Sequence, residues 1–134
     1  MAIKWFLPEP LSNEAERLLD GGDALFAPDF LLIEFGNITW KKVRLRELAR
    51  RDGDAAFAAL RSGPVDFVGT TPLIARALHL AHELDHPVYD CLYLATAEAV
   101  AAMVATADRR FFERCSASSV GSRIAWLGDW PSAP

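Results

Sequence analysis

Short apolar runs alternate with helical stretches along almost the whole chain, and this alternation limits the fold more than any other feature. Residues 24–27 (Ala-Leu-Phe-Ala), 65–69 (Val-Asp-Phe-Val-Gly), 103–106 (Met-Val-Ala-Thr) and 124–127 (Ile-Ala-Trp-Leu) read as short buried strands. Each pair of runs is separated by helical spacing, and strands joined through helical crossovers pair in parallel. The expected class is therefore α/β with a parallel sheet, in a single domain over residues 1–134. A chain of 134 residues with 51% hydrophobic side chains has the length to bury a core without staples.

The intervening segments carry their own signals. Residues 1–7 are apolar from the start and break at Pro8-Glu9-Pro10, which reads as the tail of a strand that begins earlier. Asn13 and Glu16 have capping-box spacing, and Ala15, Leu18 and Leu19 supply a stripe that stops at Gly21-Gly22. Residues 29–51 read as one helix, with Leu31, Phe35 and Ile38 on a stripe that Leu45 and Leu48 continue. A short helix is expected over 55–60. Another runs over 70–84, capped by Thr70 or Thr71 with Pro72 near its first position. An alanine-rich helix follows over 89–101, a helical turn over 109–114, and a tail from Gly128 onward.

Composition removes whole classes of function. No apolar run approaches the roughly 20 residues of a bilayer span, and the N-terminus lacks a signal-peptide pattern. Cys91 and Cys115 are too few for a disulfide scaffold and fit no zinc spacing, so they read as reduced thiols of a cytoplasmic protein. Eighteen acidic against fourteen basic residues give a net charge of −4, which excludes coating nucleic acid by bulk charge.

Three carboxylates stand where the pattern makes them unexpected. Glu34 interrupts the apolar turn Leu31-Leu32-Ile33-Glu34-Phe35, Asp90 opens a helix, and Asp108 follows a strand. Open parallel sheets bind ligands outside the carboxyl ends of their strands, an edge that all three acids can reach. Gathered alone they would repel each other, and burial would neutralise some of them. A hard divalent cation, Mg²⁺ or Mn²⁺, removes that conflict and suits metal-dependent phosphodiester hydrolysis. The ordinary alternative is that Asp90 and Asp108 are only helix-cap and turn residues.

At these positions the chain resembles a known family. Ile3-Lys4-Trp5-Phe6-Leu7-Pro8-Glu9, the Pro28…Glu34-x-x-Asn37 stretch, Val88-Tyr89-Asp90-Cys91-Leu92-Tyr93-Leu94-Ala95 and Thr106-Ala107-Asp108-Arg109-Arg110-Phe111 are similar to the motifs of PIN-domain ribonucleases. More narrowly, they resemble VapC-type toxins of bacterial toxin–antitoxin modules. The resemblance implies a three-layer α/β/α domain with a short-stranded parallel sheet, dimeric, that cleaves RNA with Mg²⁺ or Mn²⁺ and is held in check by a cognate antitoxin. It makes Glu34, Asp90 and Asp108 the metal-holding catalytic acids, with Asn37 and Thr106 in support. The family's first acid opens an Asp-x-Ser-x-x-x-Lys-Trp motif, and aligning Lys4-Trp5 puts that aspartate three residues before Met1. The first strand is accordingly expected to be truncated here, through a start set too late. The alternative is a catalytically inactive PIN-like module that still docks an antitoxin or RNA.

Weaker patterns are also present. Arg109 and Arg110 adjoin the acids and are expected to contact RNA phosphate. Lys42, Arg46 and Arg50 have i, i+4 spacing, as a phosphate ladder or a solvated helix face. His79, His82 and His86 have spacing for zinc, although Pro87 disturbs the last of them. Cys91 has no histidine placed to activate it and reads as packing. The four tryptophans read as core or dimer contacts.

Overall fold

The computed structural model describes residues 1–130, and the end of the expected tail lies outside them. The four strands appear where expected: β1 (Leu25–Pro28), β2 (Val65–Val68), β3 (Val104–Thr106) and β4 (Ile124–Trp126). They form two parallel pairs. β1 runs beside β2 with Leu25 opposite Val65, and β3 beside β4 with Val104 opposite Ile124.

Six α-helices surround the strands: α1 (Ser12–Asp20), α2 (Phe30–Arg44), α3 (Arg50–Ser62), α4 (Ile74–Leu84), α5 (Val88–Ala99) and α6 (Arg109–Ser116). Each strand pair has its own core. Phe35 of α2, Leu60 of α3 and Val65 of β2 close over the first pair, together with Ala2 and Ile3. Leu80 and Leu84 of α4, Leu92 and Leu94 of α5, and Phe111 of α6 close over the second. A third, small cluster holds Ala15 and Leu18 of α1 against Leu127. Helix α5 is apolar almost all round, with Cys91, Leu92, Leu94, Ala95, Thr96 and Ala97 all buried, because it lies between the halves and packs on both α4 and β1.

Four local expectations need correction. Residues 1–7 are no strand: Ala2–Trp5 form a 3₁₀ turn, closed by Lys4 N–H to Met1 O at 3.0 Å and Phe6 N–H to Ile3 O at 3.1 Å. That turn satisfies the backbone locally while Ala2 and Ile3 enter the core. The Asn13–Glu16 capping box does not form, since α1 starts earlier, after Leu11 in the left-handed region at φ 67°. The helix expected over 29–51 stops at Arg44, where Arg46 at φ 61° turns the chain, and α3 restarts at Arg50 through the Asp52-Gly53 pair. Pro72 opens a 3₁₀ turn ahead of α4, and neither threonine caps that turn or the helix by its side chain.

Candidate active site at the carboxyl edge of the strands

A cavity of about 980 Å³ lies between the two halves and is lined by β1, β3 and the turn at Met1. Glu34, Asp90, Thr106, Asp108, Arg109 and Arg110 all line it, so it gathers six of the seven residues singled out from the sequence. Asn37 is the exception: it is exposed and does not reach the cavity. Three residues advance a helix by about 300°, which puts Asn37 some 60° to the solvent side of Glu34.

Each acid is held by its own partner. Glu34, one turn into α2, accepts a short hydrogen bond from the Tyr93 hydroxyl of α5. Burial pushes the Glu34 carboxyl above its ordinary range, the Tyr93 hydrogen bond pulls it back, and the charge of Asp90 pushes it up again. Burial and the same contact keep the Tyr93 hydroxyl protonated far beyond its usual range. Asp90, in the first turn of α5, does not cap that helix. It bonds His86 Nε2 at 2.8 Å, and the imidazole is buried and stacked on Phe111 at 4.8 Å between ring centres. His86 Nδ1 is buried without a hydrogen-bond partner among the described residues.

Asp108 does act as a cap. Its Oδ1 accepts from Phe111 N–H at 3.0 Å at the start of α6, and Thr106 Oγ1 accepts from Asp108 N–H at 3.0 Å. One aspartate reading is thus the ordinary one and the other is not. Arg109 lies over the Trp126 ring at 3.8 Å and also faces Phe112, which fixes a cation at the rim. Arg110 is exposed beside it.

The donor chemistry suits a hard cation: Glu34 feels the Asp90 charge, and both carboxylates line the cavity with the Tyr93 hydroxyl beside Glu34. Among the described residues, however, no three His, Cys, Asp or Glu side chains stand close enough together to share an ion. The fit therefore extends to the Glu34–Asp90 pair, with Asp108 in the same cavity but turned to its cap. The histidine triple is not a zinc site, since His79 and His82 are exposed and only His86 turns inward.

The basic ladder is broken as well. Lys42 pairs with Glu9 and Glu47, each at 3.5 Å, Arg46 lies in the break, and Arg50 pairs with Asp54 on α3. Cys91 is buried with its thiol pushed up to about 11, which makes it inert packing as expected. Trp5 donates from Nε1 to Ala15 O at 2.8 Å, whereas Trp40 is exposed.

Sequence reasoning passed over Tyr93 and undervalued His86. For Tyr93 the available signal was its place three residues after Asp90 on α5, near one face with it. His86 lies in the loop ahead of α5, where helical spacing gives no signal. No helix among the described residues is long and apolar enough to cross a membrane. Among curated proteins, none matches this chain. The family model of the PIN domain matches residues 1–116, which takes in both strand pairs' helices, Glu34, Asp90 and Asp108. On that match and on the α/β architecture that carries it, the chain belongs to the PIN domain family, whose fold implies a nuclease-type function.

Proposed function

We propose that this protein is a Mg²⁺- or Mn²⁺-dependent endoribonuclease, the VapC-type toxin of a toxin–antitoxin module. It works in the cytoplasm as a homodimer restrained by a cognate antitoxin. The observation that carries this reading is the convergence of Glu34, Asp90 and Asp108 on one cavity with two arginines at its rim. Glu34 and Asp90 would hold the metal, with Asp108 in the same cavity as the third acid. When bound, the cation supplies Lewis-acid chemistry, polarising phosphoryl oxygen and making water more acidic. Tyr93 and His86 fix the orientation of the two carboxylates, and orienting partners of this kind are commonly worth 10–100-fold in affinity or activity. Arg109, held over Trp126, and Arg110 place positive charge where an RNA phosphate would enter.

One observation favours a second reading, an inactive PIN-like module that docks RNA or an antitoxin. Asp108 is spent on capping α6, and no three-acid cluster forms among the described residues. A single experiment separates the two. The purified chain is incubated with structured RNA in Mn²⁺, beside an EDTA control and the Asp90→Asn variant. Cleavage abolished by both controls is the expected result. Cleavage in all three tubes, or in none, would overturn the metal-nuclease reading.

A further inference from the structure

A second hollow, of about 420 Å³, opens at β4 beside the active-site cavity. Met103 and Trp130 line both, so the two spaces share a wall. The hollow is mainly aromatic, with Phe112 and Trp126 6.1 Å apart between ring centres and tilted at 54°. Among the described residues Asp129, which is exposed, is the one charged side chain that lines it. Arg109 joins the two spaces: it lines the active-site cavity and lies 3.8 Å over the Trp126 ring. Among the described residues no carboxylate pairs with Arg109, which leaves its guanidinium donors for a phosphate. The indole is backed by Gly128 so closely that a Cβ there would overlap Trp126 Nε1.

We propose that this hollow is a base subsite for single-stranded RNA. It takes one unstacked nucleobase that carries an exocyclic amine, while Arg109 holds the adjoining phosphate. The inference rests on the reading of RNA as the substrate and names how that substrate is selected. A strand lying across the acids passes Arg109, and beyond the wall formed by Met103 and Trp130 its next base meets the aromatic rings. Stacking on aromatic side chains accepts any base and is commonly worth about tenfold to a hundredfold in affinity. Selection then falls to Asp129, because a carboxylate only accepts hydrogen bonds. Cytosine offers N4–H to it, whereas uracil presents O4 at the same position, a second acceptor. The two bases have the same ring size, so a preference for cytosine reports the amine and not the stacking.

The test titrates the full chain into fluorescein-labelled RNA hexamers of cytidine and of uridine, in EDTA so that no metal-dependent cleavage consumes them, and follows anisotropy. The cytidine hexamer is expected to bind about tenfold tighter than the uridine one. Asp129→Ala should bring the two affinities together, and Gly128→Ala, whose methyl displaces the indole, should weaken both about tenfold. Should Gly128→Ala fail to fold, Asp129→Ala, at an exposed position, carries the test alone. Equal binding of the two hexamers, binding of neither, a preference that survives Asp129→Ala, or unchanged affinity in folded Gly128→Ala would overturn the subsite. Self-association lost in Asp129→Ala, with no base preference, would assign the hollow to a second copy of the chain and overturn it as well. A cytidine preference in a chain that cleaves nothing in Mn²⁺ leaves the subsite standing and removes the nuclease reading, whereas cleavage without the preference does the reverse.

Discussion

The half of the molecule built on β1 and β2 is packed more sparsely than the half built on β3 and β4. Among the described residues, six buried side chains form the first core and thirteen the second. The first half instead leans on partly exposed groups such as Trp5, Phe6, Leu31 and Phe57. Glu34 belongs to the sparse half, while Asp90 and Asp108 belong to the dense one. Assembly of the acids therefore depends on contacts across the seam, of which the Tyr93–Glu34 hydrogen bond is the most direct. Local stability follows buried apolar contact, so the first half should open at lower free energy than the second.

The sharpest way to break this comparison is to cut each core separately. Phe35→Ala removes the central side chain of the first core and should cost about 3–5 kcal/mol in urea unfolding. Leu94→Ala in the second core should cost about 2–5 kcal/mol. In native-state exchange, Phe35→Ala should release amides of α2 and α3 while α4 and α5 stay protected. Loss of protection everywhere at once would mean that the halves do not differ in this way.

A smaller effect comes from the acids, and it tests both sides of the seam. In the RNA assay, Glu34→Gln and Asp90→Asn should each lower Mn²⁺-dependent cleavage about a hundredfold or more, equivalent to roughly 2.7 kcal/mol of barrier. The two losses should not add in the double variant, because residues that act as a unit fail together. Additive losses would show that the two acids work independently.

The two halves also differed in how well the sequence revealed them. All four strands were legible because each is a short apolar run between helical patterns, and the acids were legible because apolar neighbours made them conspicuous. In the second half, α4, α5 and α6 fell close to their expected bounds, since their stripes are dense and Gly or Pro punctuates them. The first half misled. Residues 29–51 read as one helix with a basic second half, but Arg46 adopts a left-handed conformation that no local signal announces. Backbone bonds from Arg46 N–H to Val43 O and Glu47 N–H to Lys42 O close the helix there. The 3₁₀ turn at Ala2–Trp5 has the composition of a strand, and an apolar run this short takes its conformation from what it packs on. Orientation was the hardest part of the site to read. The family resemblance put Asn37 in support of Glu34 but could not say which side of α2 faced the cavity.

Tyr93→Phe probes the seam itself at lower cost. The hydroxyl lowers the Glu34 carboxyl against the effect of burial, so its removal should raise the pH at which Glu34 ionises, followed through its side-chain carboxyl resonance. In the unmodified protein Glu34 already lies above its ordinary 4.5, so the folded state binds the proton more tightly than the unfolded state. Its contribution to stability is then full below about 4.5 and is lost as pH rises through the folded value. Tyr93→Phe should widen that window upward and reduce cleavage 10–100-fold. An unmoved Glu34 titration would show that the hydrogen bond does not hold the seam.

The smallest effect supplies the contrast, because it lies wholly within the dense half. Arg76 of α4 grips Glu98 of α5 through two hydrogen bonds, at 2.7 and 2.8 Å. This contact lowers the Glu98 carboxyl below its ordinary range. The sign is the reverse of Glu34: the pair stabilises above the ordinary glutamate value, and the gain is lost as pH falls through the depressed folded value. Both side chains are partly exposed, so Glu98→Gln should cost only about 0.2–1 kcal/mol in urea unfolding at pH 7, less at pH 3. It should leave the Glu34 resonance and RNA cleavage where they were. If a change this remote from the cavity moved either of them, the dense half would be transmitting strain to the sparse one, and the seam contacts could not be treated as the local determinant of the site.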